Sequence, residues 1–157
     1  MKHIISVLVE NKFGVLARVA GLFSARGFNI DSLAVGETED ATISRMTIVV
    51  RGDDKTLEQV KKQLNKLIDV IAVRDFVKKE HIDRELLLFK VNISKDTTAN
   101  VEKILAKFNA KPVKVSDNAI TVEMVGDQEQ IDSLLKQLAE FGIKEMVRTG
   151  RIAMALE

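Results

Sequence analysis

Lys2-His3-Ile4-Ile5-Ser6-Val7-Leu8-Val9-Glu10, then Asn11-Lys12-Phe13-Gly14, then Val15-Leu16-Ala17-Arg18-Val19-Ala20-Gly21-Leu22-Phe23 is the stretch whose reading decides the fold. Its first nine residues are rich in β-branched side chains and apolar on both parities. Ile5, Val7 and Val9 share one face, Ile4 and Leu8 the other. A strand apolar on both sides is central in its sheet, with something covering each face. Asn11 to Gly14 break the run, and the apolar period then changes from two to that of a helix at Val15, Leu16, Val19, Leu22 and Phe23. Gly27 stands where a helix C-terminal glycine belongs.

Outward from this strand–loop–helix unit, residues 28–37 and 43–51 read as two strands joined by the polar Thr38-Glu39-Asp40-Ala41-Thr42 hairpin. Gly52-Asp53-Asp54 opens a second helix, with Asp53 or Asp54 as its cap and an apolar stripe of Leu57, Val60, Leu64, Leu67 and Ile68. Residues 71–79 close the segment as a strand, so the order is βαββαβ. The order then repeats. Residues 85–93 form a strand with Leu87, Phe89, Val91 and Ile93 on one face. A helix follows on Val101, Ile104, Leu105 and Phe108, with Thr97 or Thr98 near its start. Strands at 112–116 and 120–125 flank Asp117-Asn118-Ala119, and a last helix on Ile131, Leu134, Leu135 and Leu138 runs to about Gly142. Residues 143–148 are the closing strand, and the tail to Glu157 carries no clear pattern. The fold class is α+β: two tandem ferredoxin-like βαββαβ domains, 1–80 and 81–157, meeting at the short charged Glu80-His81-Ile82-Asp83. Two helices cover only one face of each sheet. With apolar residues on both faces of the first strand, self-association as a two-fold homodimer is the expectation.

The composition narrows the function. The 157 residues hold 24 Lys+Arg against 23 Asp+Glu, a net charge of +1, and the two halves are balanced at 13 to 11 and 11 to 12. Such a chain lacks the clustered basic excess of a nucleic-acid-binding surface. The absence of Cys excludes disulfides, thiolate metal sites and a Cys nucleophile, and suits a reducing compartment. Two histidines, His3 and His81, are too few for a His-rich metal centre. His3 reads as an edge residue rather than a general base. No apolar run approaches the ~20 residues of a membrane span, and the start lacks a signal-peptide cleavage site, so a cytoplasmic location is expected. No glycine spacing forms a dinucleotide or phosphate loop, and Asn92-Ile93-Ser94 is a chance sequon in such a context. No catalytic and no metal-ligating residues are assigned.

The Asn11–Gly14 loop is the place where chemistry is possible. A strand ends, a glycine permits a tight path, and a helix begins whose first N–H groups have no intrahelical partner and carry the positive end of the dipole. Such a terminus holds a small carboxylate, to which Asn11 can add an amide and Gly14 a close approach of backbone. On physics alone the same residues read first as an Asn cap and a turn glycine. Asn29, in Gly27-Phe28-Asn29-Ile30-Asp31, either tolerates an unusual backbone angle or offers a polar arm to a neighbouring site.

Ser6-Val7-Leu8-Val9-Glu10-Asn11, Gly14-Val15-Leu16-Ala17-Arg18-Val19 and Gly21-Leu22-Phe23-Ser24-Ala25-Arg26-Gly27-Phe28-Asn29-Ile30 resemble the start of the acetolactate (acetohydroxyacid) synthase regulatory small subunits. Ser44-Arg45-Met46-Thr47-Ile48, the helix from Leu57 to Leu67, Arg84-Glu85-Leu86 and Thr149-Gly150-Arg151 extend the resemblance to nearly the whole chain. It implies that residues 1–80 are an ACT domain, the small-ligand-binding ferredoxin-like module. It also implies a non-catalytic subunit that stimulates a large subunit condensing pyruvate with pyruvate or 2-oxobutyrate and confers feedback inhibition by valine. Thiamine diphosphate, Mg²⁺ and FAD are then expected on the catalytic subunit, with no cofactor in this chain. The family's effector site lies between protomers, which puts Asn11, Gly14, Val15 and Leu16 on one side and Asn29 and Ile30 across the interface. The second half has no glycine equivalent to Gly14 at 94–99, so the resemblance points to an effector site in the first domain only. The competing reading is an interaction module of the same fold that activates a partner enzyme without sensing a ligand. A free-standing transcription regulator would need a helix-turn-helix or basic recognition helix, and neither is present in the sequence.

Overall fold

The computed structural model describes residues 1–77 and 79–156. The chain divides into two compact units, Met1–Ile82 with the tail from Gly150, and Asp83–Thr149.

The first unit runs β1 (Lys2–Glu10), α1 (Val15–Ala25), β2 (Ile30–Glu37), β3 (Ile43–Arg51), α2 (Asp54–Leu64) and β4 (Val70–Asp75). Its sheet has the order β2-β3-β1-β4, every pair antiparallel. The strand read as central is central: Ile5, Val7 and Val9 of β1 are buried with Met46, Ile48 and Val50 of β3, under Val15, Val19, Leu22 and Phe23 of α1 and Leu57, Val60 and Leu64 of α2. On the opposite face Ile4 and Leu8 are half-buried. His3, expected at an edge, is only 2% exposed, because β1 has neighbours on both sides. Its ring Nε2 lies 3.0 Å from the carbonyl of Gly52, which accepts.

The two helices of this unit begin differently. Asp53 caps α2, accepting from the Thr56 N–H at 2.8 Å, and is the cap of the two aspartates considered. The α1 helix starts at Gly14 with φ +80°, no side-chain cap and no acidic residue in its first turn. At its end, Gly27 (φ +67°) turns the chain so that the Phe28 N–H returns to the Phe23 carbonyl at 3.0 Å. This closure delays β2 to Ile30, two residues after the strand expected from residue 28. The apolar stripe of α2 also ends earlier than its spacing suggests. The helix stops at Leu64, and Ile68 is 98% exposed while Leu67 still packs on the core. The closing strand expected over 71–79 is β4 over Val70–Asp75, and Lys78 lies outside the described residues.

The second unit repeats the plan with β5 (His81–Asn92, in this unit from Asp83), α3 (Thr98–Lys107), β6 (Lys111–Val115), β7 (Ala119–Gly126), α4 (Gln128–Leu138) and β8 (Ile143–Arg148), in the order β6-β7-β5-β8. Leu87, Phe89 and Val91 are buried with Val101, Leu105, Ile131, Leu134 and Leu138. Asp127 forms a capping box with Gln130 at the start of α4. Thr97 sits at the cap position of α3 without capping it; its Oγ1 accepts from the Ser94 N–H at 2.8 Å instead.

The tail departs from the division at residue 81. It forms β9 (Ile152–Ala155), and it belongs to the first unit. Gly150 has no Cβ where one would collide with the carbonyl of Leu33 in β2. The Arg151 N–H donates to Ser32 Oγ at 2.8 Å, at the irregular step of the β2–β3 pairing, and the Leu156 N–H donates to the Glu80 carbonyl at 3.1 Å. A tail without helical or alternating pattern is thus held by backbone contacts that leave little trace in side-chain periodicity. Among the described residues no helix is long and apolar enough to cross a membrane.

Candidate functional site

The loop from β1 to α1 is held from three sides. The Glu10 N–H donates to the Asp69 carbonyl at 2.9 Å, and the Asn11 N–H to the Thr42 carbonyl at 2.7 Å. The Asn11 side-chain amide donates to the Ala41 carbonyl at 2.8 Å and to Glu37 Oε1 at 3.1 Å. Asn11 therefore ties the loop to the β2–β3 hairpin and is not the helix cap. Both amide hydrogens are taken up within the chain, which leaves Oδ1 as its acceptor.

Gly14 then takes the left-handed conformation and α1 begins. Its carbonyl accepts the first intrahelical bond, from the Arg18 N–H at 3.0 Å, and the Val15 N–H makes a long 3.4 Å bond to Lys12. The N–H groups of Leu16 and Ala17 precede the helical ladder and are the open donors of the terminus. Around them the surface is apolar: Phe13 is fully exposed and Leu16 is 45% exposed. Val15 is different. At 3% exposure its side chain belongs to the core, so only its backbone is at the loop. Beside the loop, Lys12 pairs with Glu10 at 2.9 Å, and the hydrogen bond it donates to that carboxylate raises the lysine pKa.

Asn29 and Ile30 lie at the other end of the sheet. Ile30 is opposite Val50 and Lys2 opposite Arg51, whereas Glu10 at the loop end is opposite Ile43. Eight residue steps of β1 separate the two ends, about 26 Å at ~3.3 Å per residue. One copy of the first unit does not bring the Asn11–Leu16 loop to Asn29. At its own end the Asn29 amide donates to Asp31 Oδ1 at 3.0 Å, and Arg51 donates to Asp31 Oδ2 at 3.0 Å. The hydrogen bond from Arg51, then that from Asn29, lowers the pKa of Asp31.

Three residues at the loop escaped the sequence reading. Arg18 Nε donates to Asp69 Oδ2 at 2.8 Å, and Nη2 sits 2.7 Å from the same oxygen. The third nitrogen, Nη1, lies 3.0 Å from the point where a Cβ on Gly14 would stand. Glu37 meets the loop through Asn11. Arg18 and Asp69 are 51 residues apart and Asn11 and Glu37 are 26 apart, so no local spacing links them.

In the second unit the corresponding turn is closed on itself. Ser94 and Thr97 bond to one another, and the Thr98 hydroxyl donates to the Ser94 carbonyl at 2.7 Å. Among the described residues, no group of three or more His, Asp or Glu is placed to hold a metal ion.

Residues 5–72 match a family model described as the AHAS small subunit-like ACT domain, and residues 84–157 match one described as the small subunit of acetolactate synthase. A "Probable acetolactate synthase small subunit" of Methanothermobacter thermautotrophicus is 53% identical over 154 residues, spanning 98% of this chain and 92% of that protein. The acetolactate synthase small subunit of Aquifex aeolicus is 48% identical over 157 residues, spanning 99% and 82%. The crystal structure of the acetolactate synthase small subunit from Thermotoga maritima superposes with a TM-score of 0.89 at 36% identity, covering 100% of this chain and 98% of that one. With both halves matched by family models and relatives near half-identity spanning almost its entire length, the chain belongs to the acetolactate synthase small-subunit family.

Proposed function

We propose that this chain is a non-catalytic regulatory subunit that stimulates a thiamine-diphosphate-dependent acetolactate synthase catalytic subunit and makes it sensitive to feedback inhibition by valine in the cytoplasm. Thiamine diphosphate, Mg²⁺ and FAD reside on the catalytic subunit. The working form is a homodimer in which Asn11, Gly14, Val15 and Leu16 of one copy face Asn29 and Ile30 of the other.

The observation that carries the reading is the start of α1: an uncapped helix after a left-handed glycine, with exposed Leu16 and Phe13 alongside. A branched-chain amino acid matches it chemically, since its carboxylate suits the open N–H groups and its side chain the apolar rim. The separation of this loop from Asn29 within one copy supports a site shared by two. Val15 contributes through its backbone, and Asn11 through Oδ1 and through its hold on the hairpin.

Titration calorimetry of the full-length chain with valine, leucine and isoleucine tests the reading, together with size measurement by light scattering. Heat on adding valine and a dimer mass at micromolar concentration are expected. A chain that stimulates the catalytic subunit but gives no heat and no stabilisation with any of the three amino acids is the ligand-blind interaction module instead.

A further inference from the structure

We propose that Arg18 is the cationic anchor for the carboxylate of the amino-acid effector, and that Asp69 is its positioning residue. The inference rests on the effector reading above and extends it to a side chain. Arg18 lies in the first turn and a half of α1, so its long side chain folds back along the helix towards the N-terminal turn. Nε donates to one oxygen of Asp69 at 2.8 Å, and Nη2 stands 2.7 Å from the same oxygen. This grip fixes the plane of the guanidinium and leaves Nη1, with two N–H donors, turned to Gly14. Asp69 is fixed in turn: its carbonyl accepts the Glu10 N–H at 2.9 Å, so its carboxylate is tied to the end of the strand that feeds the loop.

Gly14 leaves the cradle that this arrangement needs. A Cβ there would stand 3.0 Å from Nη1 and push the guanidinium away from the helix terminus. The backbone donors of Leu16 and Ala17 and the Nη1 donors consequently serve the same corner, one set of fixed dipoles and one formal charge. A carboxylate can take hydrogen bonds from both, and a charge-assisted bond is stronger than its neutral counterpart. Glu37, held by Asn11 on the hairpin side of the loop, leaves a negative group for the effector's ammonium. The corner therefore discriminates for a zwitterion, and within the zwitterion Arg18 reads the carboxylate.

The test is calorimetric titration of the full-length chain with valine and with valinamide, which keeps the ammonium and the side chain but lacks the carboxylate. Wild type is expected to bind valine at least tenfold more tightly than valinamide. Arg18→Met should weaken valine about 10- to 100-fold, the range for one lost charge-assisted hydrogen bond, and leave valinamide within twofold. Asp69→Asn should weaken valine less, with Arg18→Lys in between, and both should retain the valinamide affinity. Equal losses for both ligands would make Arg18 a structural residue and overturn the proposal. So would unchanged valine binding in Arg18→Met, while the effector reading itself would stand. Wild type that binds valinamide as tightly as valine also overturns it, whether or not the variants fold. Wild type that binds no branched-chain amino acid removes the effector reading and this inference together.

Discussion

Gly14 answers to two demands at once. Its φ of +80° is a conformation that side chains rarely adopt, and the space beside its Cα is occupied by Arg18 Nη1. The sequence justified a glycine by the tight turn and by room for close backbone approach, and the demand made by Arg18 is invisible without the fold. Gly14→Asp should therefore act in two measurable ways. A carboxylate at this corner competes with the effector for the same donors, and two negative charges about 4 Å apart repel by roughly 4 kcal/mol at an effective dielectric of about 20. Valine affinity should fall by about 100-fold or more. The left-handed backbone costs about 1 kcal/mol for a non-glycine residue and less for Asp, which is tolerant there, so the chain should still fold. Titration and urea unfolding on the same variant separate the two effects. An unchanged valine midpoint would place the effector elsewhere.

At the level of the element, the helices show how much of local structure is written locally. The capping box of α4 joins Asp127 and Gln130, the Asp127 carboxylate accepting from the Gln130 N–H at 2.8 Å and the Gln130 side chain accepting from the Asp127 N–H at 3.1 Å. Asp127→Ala should cost about 1 kcal/mol in the second unit, read as a lower urea midpoint with unchanged slope. The α2 helix is tied to β4 by Lys61, which bonds Asp75 at 2.7 Å and Glu58 at 2.9 Å. Partial burial pushes the Asp75 carboxyl upward, and Lys61, the Val77 N–H and Lys79 together more than offset this, so its pKa ends below the ordinary value. Lys61 is raised, by Asp75 first and Glu58 second. Asp75 thus adds stability that is present above the unfolded carboxylate pKa of about 4 and is lost as pH falls through its lower folded pKa. Lys61 adds stability present below about 10.4 and lost as pH rises through its higher folded value. Asp75→Asn should flatten the acid limb of the stability profile below about pH 4 and weaken the alkaline limb as well. An acid limb identical to wild type would show that the pair contributes nothing.

At the scale of the whole molecule, the tail is the largest difference from the sequence reading. Family models divide the chain between residues 72 and 84, and so does the charged Glu80–Asp83 segment, yet the chain from Gly150 onward sits with the first unit. The first unit is therefore incomplete as residues 1–80. Gly150→Val should force the tail away from the Leu33 carbonyl and cost about 1–3 kcal/mol, the usual range for overpacking. Hydrogen exchange should show the loss at Ser32–Ala34 and spare the α3 and α4 helices. Unaltered protection of β2 would mean that the tail is only loosely held.

What the sequence by itself determined was carried by periodicity and by aspartate caps. The two-faced β1, the switch of period at Gly14, the repeated βαββαβ order and the aspartate at the head of α2 depend on neighbours within one or two turns of chain. Sequence records such neighbours directly. The uncapped start of α1 was not readable in this way, because the sequence left Asn11 open as its cap and only the fold turns that amide to Ala41 and Glu37. Tertiary structure alone decided which distant groups share that corner: Asp69 turning Arg18 towards Gly14, Glu37 reaching Asn11, and β1 holding Asn29 at the far end of the sheet. It also decided that Val15 faces the core and that Gly150 meets the backbone of β2. These follow from strand register and from main-chain contacts made by residues many positions apart. Such contacts impose no repeat on the side chains, so they become visible only when the chain is folded.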